Sequence, residues 1–346
     1  MSQFIPLILA SGLISFIATP LVKRFAQSIN FVDKPHARKL HITPTPLLGG
    51  VAIYVGLVTT VLISCVDNVF IEMAAVIGGA TIMTATGVID DRFTLAPLPK
   101  LGGQLLATAI LILAGIQVQI FASPILNIAI TVLWVIGICN AINFQDNMDG
   151  LAAGLSMVAA GFFFIIASNE GLGLVATLAA ATAGACVGFL YYNFNPAQLF
   201  MGDAGSLLLG FVLAILGIKL EFVGRPQDIT WMIPIIILGV PIFDMALVII
   251  SRLRRGIAPY HGGKDHTSHR LANVIGMPTS RAVMTLYLVA AALGLLAVML
   301  PDANRPQALM ILSGLALLFI AALVWLEWRF AQYEAAKAIE APAADG

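Results

Sequence analysis

The sequence predicts an all-α integral membrane protein, and three observations support this fold class. Of the 346 residues, 60% are hydrophobic and only 10% are charged, whereas soluble domains carry about 25% charged residues. The apolar residues form stretches long enough to cross a bilayer as helices, which takes about 20 residues each. Polar residues are confined to short segments between these stretches, so a polytopic helical bundle is expected.

About eleven apolar stretches meet this criterion, and no segment between them is long enough for a soluble domain. The fourth stretch is the shortest. The first lacks a preceding basic region and a cleavage motif, which predicts an uncleaved span. We expect residues 1–330 to form a single membrane domain and residues 331–346 to form a short, disordered cytoplasmic tail. The stretches cover residues 3–22, 47–66, 72–89, 102–117, 123–140, 150–168, 171–190, 204–220, 230–250, 282–300 and 307–327.

The distribution of lysine and arginine predicts the orientation, because these residues are retained on the cytoplasmic side. Fifteen of the eighteen fall on the face that holds the C-terminus, and the exceptions are Lys219, Arg225 and Arg305. The N-terminus is therefore predicted outside and the C-terminus in the cytoplasm. The net charge is zero, so we expect no nucleic-acid partner.

Five polar segments share the predicted cytoplasmic face, and they contain all five histidines of the chain. Carboxylates, imidazoles and cations gathered at one membrane surface predict a site for a water-soluble, anionic ligand. The three cysteines lie in or at the end of apolar runs and predict neither a disulfide nor a metal site. The polar segments are Lys23–Pro46, Asp90–Lys100, Asn140–Gly150, Tyr191–Ser206 and Ser251–Arg281.

Adjacent carboxylates end the third stretch, at Asp90 and Asp91. Neighbouring carboxylates repel each other unless a cation lies between them, and Mg²⁺ prefers carboxylate and phosphate oxygens. A second acidic position, Asp203, lies beside Gly202, which permits close backbone approach to a metal–diphosphate group. The alternatives are a solvated helix end for the pair and an N-cap role for Asp203.

Amides and carboxylates crowd the segment before the sixth stretch. Asp146 and Asp149 share one face if the segment is helical, and Asn143 lies nearby. This mixture suits hydrogen bonding to a nucleobase and ribose, although acidic residues also favour the first turn of a helix. In the next segment, Phe200 could stack on a base or anchor at the membrane interface.

Cations and imidazoles dominate the last polar segment, where they indicate a phosphate-binding site or a basic loop that only sets orientation. The spacing of its histidines is weak evidence for zinc, because no cysteine accompanies them. Arg38, Lys39 and His41 lie in the first segment, near the membrane surface where a lipid phosphate would bind. The residues of the last segment are Lys264, His266, His269 and Arg270.

Asp244 differs from these residues because it lies inside the ninth stretch, about two turns from its inner end. An intramembrane carboxylate is by default a functional-site hypothesis. We favour a structural hydrogen bond to a neighbouring helix over catalysis.

Taken together and in order, the motifs resemble those of the polyprenyl-phosphate N-acetylhexosamine-1-phosphate transferases, of the glycosyltransferase family 4 type. The resemblance extends from about Phe31 to Leu271. The motifs are RKLHITPTPLLGG, GVIDDR, NAINFQDNMDGLAAG, NFNPAQLFMGDAGSLLLG and HGGKDHTSHRL.

This resemblance implies a multi-pass enzyme of the bacterial cytoplasmic membrane, active on its cytoplasmic face. It implies Mg²⁺-dependent transfer of a sugar-1-phosphate, with Mn²⁺ as an alternative metal. The donor would be a UDP-sugar, the acceptor undecaprenyl phosphate or a similar polyprenyl phosphate, and UMP would be released. The sequence leaves open whether the chain forms a homodimer.

Carried over to this chain, the resemblance implies that Asp90 and Asp91 form a catalytic acidic pair. It also implies that Asp203 and one member of this pair bind the metal ion, and we assign Asp91 as that member. It implies a catalytic role for His266 and His269. It also places a set of residues in substrate binding: Arg38, Lys39, His41, Asn143, Asp146, Asp149, Asn193, Phe200, Lys264 and Arg270.

Within the family, the chain is similar to the N-acetylglucosamine-1-phosphate branch, which begins teichoic acid, enterobacterial antigen or O-antigen chains. The three consecutive histidines typical of the muramoyl-pentapeptide branch are absent. Two motifs depart from the family pattern. The pattern HxHH is His266-Thr-Ser-His269 here, and DGxDG is Asp146-Asn-Met-Asp149-Gly.

A secondary transporter for an anionic metabolite is the alternative class. Transporters place polar groups near the bilayer midplane and use inverted repeats with broken helices. Here the polar groups cluster at one surface and no internal repeat is evident, which favours the transferase.

Overall fold

A computed structural model describes residues 1–33, 44–64, 69–222, 224–225, 227–260 and 262–340. Besides helices, the regular secondary structure of the described residues is one antiparallel pair of strands, β1 (Val32–Asp33) and β2 (Thr45–Pro46). The helices are α1 (Ile5–Ser28), α2 (Gly49–Ile63), α3 (Phe70–Phe93), α4 (Pro97–Leu113), α5 (Pro124–Gln145), α6 (Leu151–Asn169), α7 (Gly173–Asn193), α8 (Gly202–Ile218), α9 (Gln227–Thr230), α10 (Ile233–Ile237), α11 (Gly239–Arg254), α12 (Thr267–His269), α13 (Thr279–Met299) and α14 (Arg305–Glu340).

Ten of the eleven predicted apolar stretches each overlap one of these helices, and the ninth contains two, α10 and α11. Within the described part of the chain, seven helices are long and apolar enough to cross a membrane, and α2, α4 and α8 are shorter apolar helices. The helical class is thus confirmed and is consistent with a membrane protein. Eleven spans and the orientation of the termini stay predictions.

The ninth predicted stretch is not one helix. It divides into α10 and α11, which meet at Leu238. Pro241 explains the break, because a proline lacks the N–H that would bond to the carbonyl of Ile237 and its ring clashes with that carbonyl. The single span predicted over residues 230–250 is therefore two helices.

The predicted disordered tail is wrong over much of its length. Helix α14 runs from Arg305 to Glu340, so it continues past residue 330, where we placed the end of the membrane domain. Residues 341–346 lie outside the described structure.

Helix α8 is the centre of the bundle, since almost all of its side chains from Gly202 to Leu216 are buried. Neighbouring helices approach its first turn closely through glycines. A Cβ at Gly87 of α3 would lie 2.3 Å from backbone atoms of Asp203 and Ala204, and one at Gly50 of α2 would lie 2.0 Å from the nitrogen of Gly205. No larger residue fits at either contact without moving backbone.

Ion pairs join the loops at the other end of the bundle, near the end of α8. Lys219 lies 3.2 Å from Glu72, and Arg225 lies 3.2 Å from Glu170 and 2.6 Å from Asp302. Two of the three cations predicted outside therefore bind carboxylates from other helices or loops. These contacts gather the ends of α6 and α8 with the start of α3 on one face.

We expect Gly87→Ala to lower the melting temperature of the purified protein, because overpacking against backbone costs about 1–3 kcal/mol. Gly78→Ala on the same helix is the matched control, since a Cβ there meets nothing within 4 Å. That change should stabilise by about 0.5–1 kcal/mol, as alanine favours a helix over glycine. Equal melting temperatures for the two variants would contradict the close α3–α8 contact.

Candidate active site

The ammonium of Lys100, in the first turn of α4, lies between side chains of three other helices. Its Nζ is 2.9 Å from Asp90 Oδ2, contacts Asp203 Oδ2, and donates to Asn143 Oδ1 at 3.2 Å. Asn143 in turn donates through Nδ2 to Asp203 Oδ1 at 2.8 Å and to Ser206 Oγ at 2.8 Å. The ends of α3 and α5 and the starts of α4 and α8 therefore meet at one point.

The carboxylate of Asp91 binds the N-terminus of α8 rather than the open site. Its Oδ1 accepts from the backbone N–H of Asp203 at 2.9 Å, and its Oδ2 accepts from Ala204 at 3.3 Å. Two N–H groups that the helix leaves without an internal partner are thereby bonded. The N-cap alternative for Asp203 is wrong, because Met201 is the N-cap and Asp203 lies inside the helix.

Asp146 also faces the start of α8, at the end of α5. Burial, together with the charges of Asp203 and Asp91, raises the pKa of Asp146 to about 8, although the Gly202 N–H donates to it. Asp146 therefore holds its proton more tightly than an ordinary aspartate, and four aspartates are concentrated around one helix terminus.

The two segments assigned to the nucleotide lie against each other. Asp149 Oδ2 accepts from Asn195 Nδ2 at 3.1 Å and from the Ala197 N–H at 3.0 Å. Asn193 accepts through Oδ1 from the Gly150 N–H at 3.1 Å and donates to the Leu199 carbonyl at 3.0 Å. Asp149 and Asn193 thus hold the two segments together.

Phe200 belongs to the same region and is half-buried. Its N–H donates to the Pro46 carbonyl at 2.9 Å, and its own carbonyl accepts from Gly49 at 3.0 Å. The first polar segment is thereby joined to the fourth. Arg38, Lys39 and His41 lie outside the described residues.

His266 is anchored from inside the bundle by Asp244 of α11. Its Nδ1 lies 2.8 Å from Asp244 Oδ2, and the Thr267 N–H donates to Asp244 Oδ1 at 2.5 Å. The ring packs edge-on against Phe144, with centroids 5.5 Å apart. The hydrogen bond favoured for Asp244 is present, and its partners lie at the start of the short helix α12, in residues 264–270, here called the histidine segment.

The two departures from the family pattern contact each other. Ser268, which stands where the pattern has a histidine, donates to Asn147 Oδ1 at 2.6 Å. Asn147, which stands where the pattern has a glycine, also donates to the Phe144 carbonyl at 2.5 Å. This contact joins the histidine segment to the segment between α5 and α6.

Arg270 is buried and committed to protein partners. Its Nε donates to the Asp265 carbonyl at 2.8 Å, its Nη1 to the Leu326 carbonyl at 3.0 Å and its Nη2 to Ser251 Oγ at 2.9 Å. Nη2 also lies 2.7 Å from Glu327 of α14. The predicted phosphate-binding role of Arg270 is corrected to a structural one, because every guanidinium nitrogen already has a protein acceptor.

Asp265 anchors the same segment to α11. Burial alone would raise the pKa of Asp265, but Arg252 at 2.8 Å and Arg255 at 2.5 Å outweigh it and lower the pKa to about 2. The carboxylate is therefore ionised throughout the physiological range, and the cost of its burial is offset by two charged partners.

His269 and Lys264 differ in exposure and in charge. Burial, with the nearby charges of His266 and Lys264, lowers the pKa of His269 to about 4, so this imidazole is neutral at neutral pH. Lys264 is exposed and supplies a positive charge beside it.

Within the described ranges, no three acidic, histidine or cysteine side chains are arranged as ready-made metal ligands. The Lys100 ammonium nevertheless has oxygens of Asp90, Asp203 and Asn143 around it. An oxygen set with two carboxylates suits Mg²⁺ or Mn²⁺, so the donors fit such an ion chemically. Lys100 thus brings Asp90 and Asp203 together, whereas the oxygens of Asp91, the predicted second ligand, accept from the backbone N–H groups of Asp203 and Ala204.

Comparison with known proteins agrees with these motifs. The profile of Glycosyl transferase family 4 matches residues 73–221. A Bacillus subtilis protein described as a probable undecaprenyl-phosphate N-acetylglucosaminyl 1-phosphate transferase is 36% identical over 318 residues, which cover 88% of this chain and 87% of the relative. The decaprenyl-phosphate N-acetylglucosaminephosphotransferase of Mycobacterium leprae is 32% identical over 316 residues, covering 81% and 79%.

A more distant relative extends the comparison. The undecaprenyl-phosphate alpha-N-acetylglucosaminyl 1-phosphate transferase of Escherichia coli K12 is 28% identical over 293 residues, covering 78% of this chain and 76% of the relative. The similarity to all three relatives extends over most of both chains, well beyond the residues that the family profile matches. The chain therefore belongs to the polyprenyl-phosphate N-acetylglucosamine-1-phosphate transferases of glycosyl transferase family 4.

Proposed function

We propose that this chain transfers N-acetylglucosamine-1-phosphate from its UDP-sugar to undecaprenyl phosphate or a similar polyprenyl phosphate, and releases UMP. The observation that carries the proposal is the meeting of Asp90, Lys100, Asn143 and Asp203 from four helices at one end of an apolar bundle. A site at the end of a membrane bundle serves a reaction between a soluble donor and a lipid acceptor. We place this reaction at the first membrane step of a cell-envelope polysaccharide pathway.

The chemistry makes modest demands on a general base. An oxygen of the lipid phosphate attacks the sugar-bearing phosphorus, and the bond from that phosphorus to the UMP oxygen breaks. A phosphate has a second pKa of about 6, so the nucleophile is already largely ionised at neutral pH. Positioning of the two anionic substrates and stabilisation of their charge must therefore supply most of the rate.

Asp90, Asp203 and Asn143 would hold the metal ion in this proposal. Mg²⁺, with Mn²⁺ as the alternative, would supply neutralisation of the diphosphate charge when bound. Lys100 offsets the repulsion between Asp90 and Asp203; a bound ion would take over these oxygens and free the ammonium to offer its charge to the phosphates. Asp91 acts through the α8 backbone by fixing the position of Asp203.

The histidine segment would supply the remaining contacts with the substrate phosphates. Because Asp244 binds Nδ1 of His266, only Nε2 of that ring is free for a phosphate oxygen. Neutral His269 offers hydrogen bonding without charge, and Lys264 offers an exposed cation at the surface. Arg270 supports the segment from behind instead of binding substrate.

We assign the uridine to the region between the Asn143–Asp149 and Asn193–Phe200 segments. Asp149 and Asn193 define this region by linking its two walls. Phe200 is the candidate for stacking on the uracil, which is worth about 1–3 kcal/mol per base in other nucleotide sites. The transporter alternative loses its support, since the relatives that match over 87% and 79% of their own length are described as transferases.

The activity is tested with purified protein, polyprenyl phosphate, Mg²⁺ and a panel of UDP-sugars. We expect UMP release with UDP-N-acetylglucosamine that depends on the lipid, and markedly slower release with other sugars. Lipid-independent consumption of the nucleotide sugar would point to hydrolysis instead of transfer. No UMP release with any member of the panel would refute the proposal.

The metal role predicts that a chelator abolishes activity and that added Mg²⁺ restores it. Asp203→Asn should raise the Mg²⁺ concentration needed for half-maximal activity by at least about tenfold, because it removes a charged ligand. Asp302→Asn is the control, since this carboxylate pairs with Arg225 at the opposite end of the bundle. A lowered melting temperature with unchanged Mg²⁺ dependence would show that Asp203 only supports the fold.

A cytoplasmic site predicts the sidedness of two surface positions. Lys264 and Glu221 are both exposed and belong to opposite ends of the bundle. In a Cys65→Ser background, with Cys139 and Cys186 buried, a membrane-impermeant thiol reagent applied to intact cells should label Glu221→Cys but not Lys264→Cys. Labelling of position 264 from outside would invert the proposed topology.

A further inference from the structure

We propose that Asp244 is a positioning residue that holds the His266 imidazole in one tautomer and one orientation. The inference rests on the proposed function, in which His266 contacts the transferring phosphates. Asp244 itself belongs to the interior of α11 and is only 1% exposed, so it does not reach substrate.

Two hydrogen bonds from neighbouring residues converge on the Asp244 carboxylate. One oxygen faces His266 Nδ1 at 2.8 Å and the other accepts from the Thr267 N–H at 2.5 Å. A carboxylate that accepts at both oxygens pairs best with the tautomer of His266 that carries its proton on Nδ1. The first bond therefore sets the tautomer of the ring, and the second fixes the position of the backbone next to His266.

The depth of Asp244 gives this anchor its rigidity. A loop alone positions a side chain poorly, whereas an anchor on a packed helix holds it within a narrow range. A buried carboxylate without partners costs several kcal/mol, and both of its partners here come from the histidine segment. Displacing the segment would leave the carboxylate unpaired, so the docked position of His266 is strongly favoured.

The remaining surroundings of His266 do not replace this contact. Phe144 packs on the ring but has no acceptor, and the His269 ring lies 6.2 Å away between centroids. Asp265 binds Arg252 and Arg255. Asp244 is therefore the residue among these that can choose which nitrogen of His266 faces the substrate.

A double-mutant cycle tests the inference. Turnover and the KM for UDP-N-acetylglucosamine would be measured for the wild type, Asp244→Asn, His266→Gln and the double variant, each in the same detergent with polyprenyl phosphate and Mg²⁺. We expect Asp244→Asn to lower kcat by about 10- to 100-fold with little change in KM, as loss of a residue that orients a functional histidine does elsewhere. The double variant should be no slower than His266→Gln alone.

Ser251→Ala provides the matched control. Ser251 lies two turns along the same face of α11 and contacts Arg270 of the same segment, but not the imidazole. Its effect on kcat should be the same factor in the wild-type and His266→Gln backgrounds, because it supports the segment without acting through the ring. If Asp244→Asn yields no folded protein, Asp244→Glu, which keeps the charge but displaces it, enters the cycle with the same expectation.

The outcomes separate this inference from the function on which it rests. Asp244→Asn with unchanged kcat, or with the same loss in both backgrounds, would overturn the positioning role while the transferase activity of the wild type stands. An inactive wild type would overturn the proposed function and the positioning role together.

Discussion

The bond between the Asp91 carboxylate and the first turn of α8 is the contact on which the site depends. A helix that begins inside a bundle needs acceptors for its first N–H groups, and here the acceptor comes from another helix. Gly87, one turn before Asp91 on α3, lets the two backbones approach closely enough for that bond. With α3 held in this way, the adjacent Asp90 faces Lys100 and, across it, Asp203.

Charge balance is the second constraint. Asp90, Asp91, Asp146 and Asp203 gather at one helix terminus, and Lys100 is the cation that touches two of them. The positive end of the α8 dipole offsets part of the remaining negative charge. A nucleotide diphosphate and a lipid phosphate would add more negative charge, so binding both substrates requires further positive charge. This requirement is the physical reason for placing a divalent cation in the reaction.

The helices were largely predictable from the sequence, because a membrane-spanning helix is recognised by the length and apolarity of its stretch. The break at Leu238 was not, since hydropathy is insensitive to the N–H that Pro241 lacks. Lys100 was missed because a single lysine beside a span looks like an orientation signal, although its position ten residues after the acidic pair was visible. Arg270 was misassigned because sequence does not reveal which way a side chain faces, and its partner Glu327 lies far along the chain.

The hydrogen bond between Asn147 and Ser268 changes how the two unusual motifs should be understood. Considered separately, Asn147 and Ser268 each look like the loss of a residue that the family pattern requires. In space they form one contact, with a serine filling less volume than a histidine and an asparagine filling more than a glycine. Chimeras with relatives that keep the family pattern should therefore exchange both segments together. Exchanging only the segment of Ser268 would place a histidine against Asn147. Exchanging only the segment of Asn147 would place a glycine opposite Ser268, which would lose its hydrogen-bond acceptor.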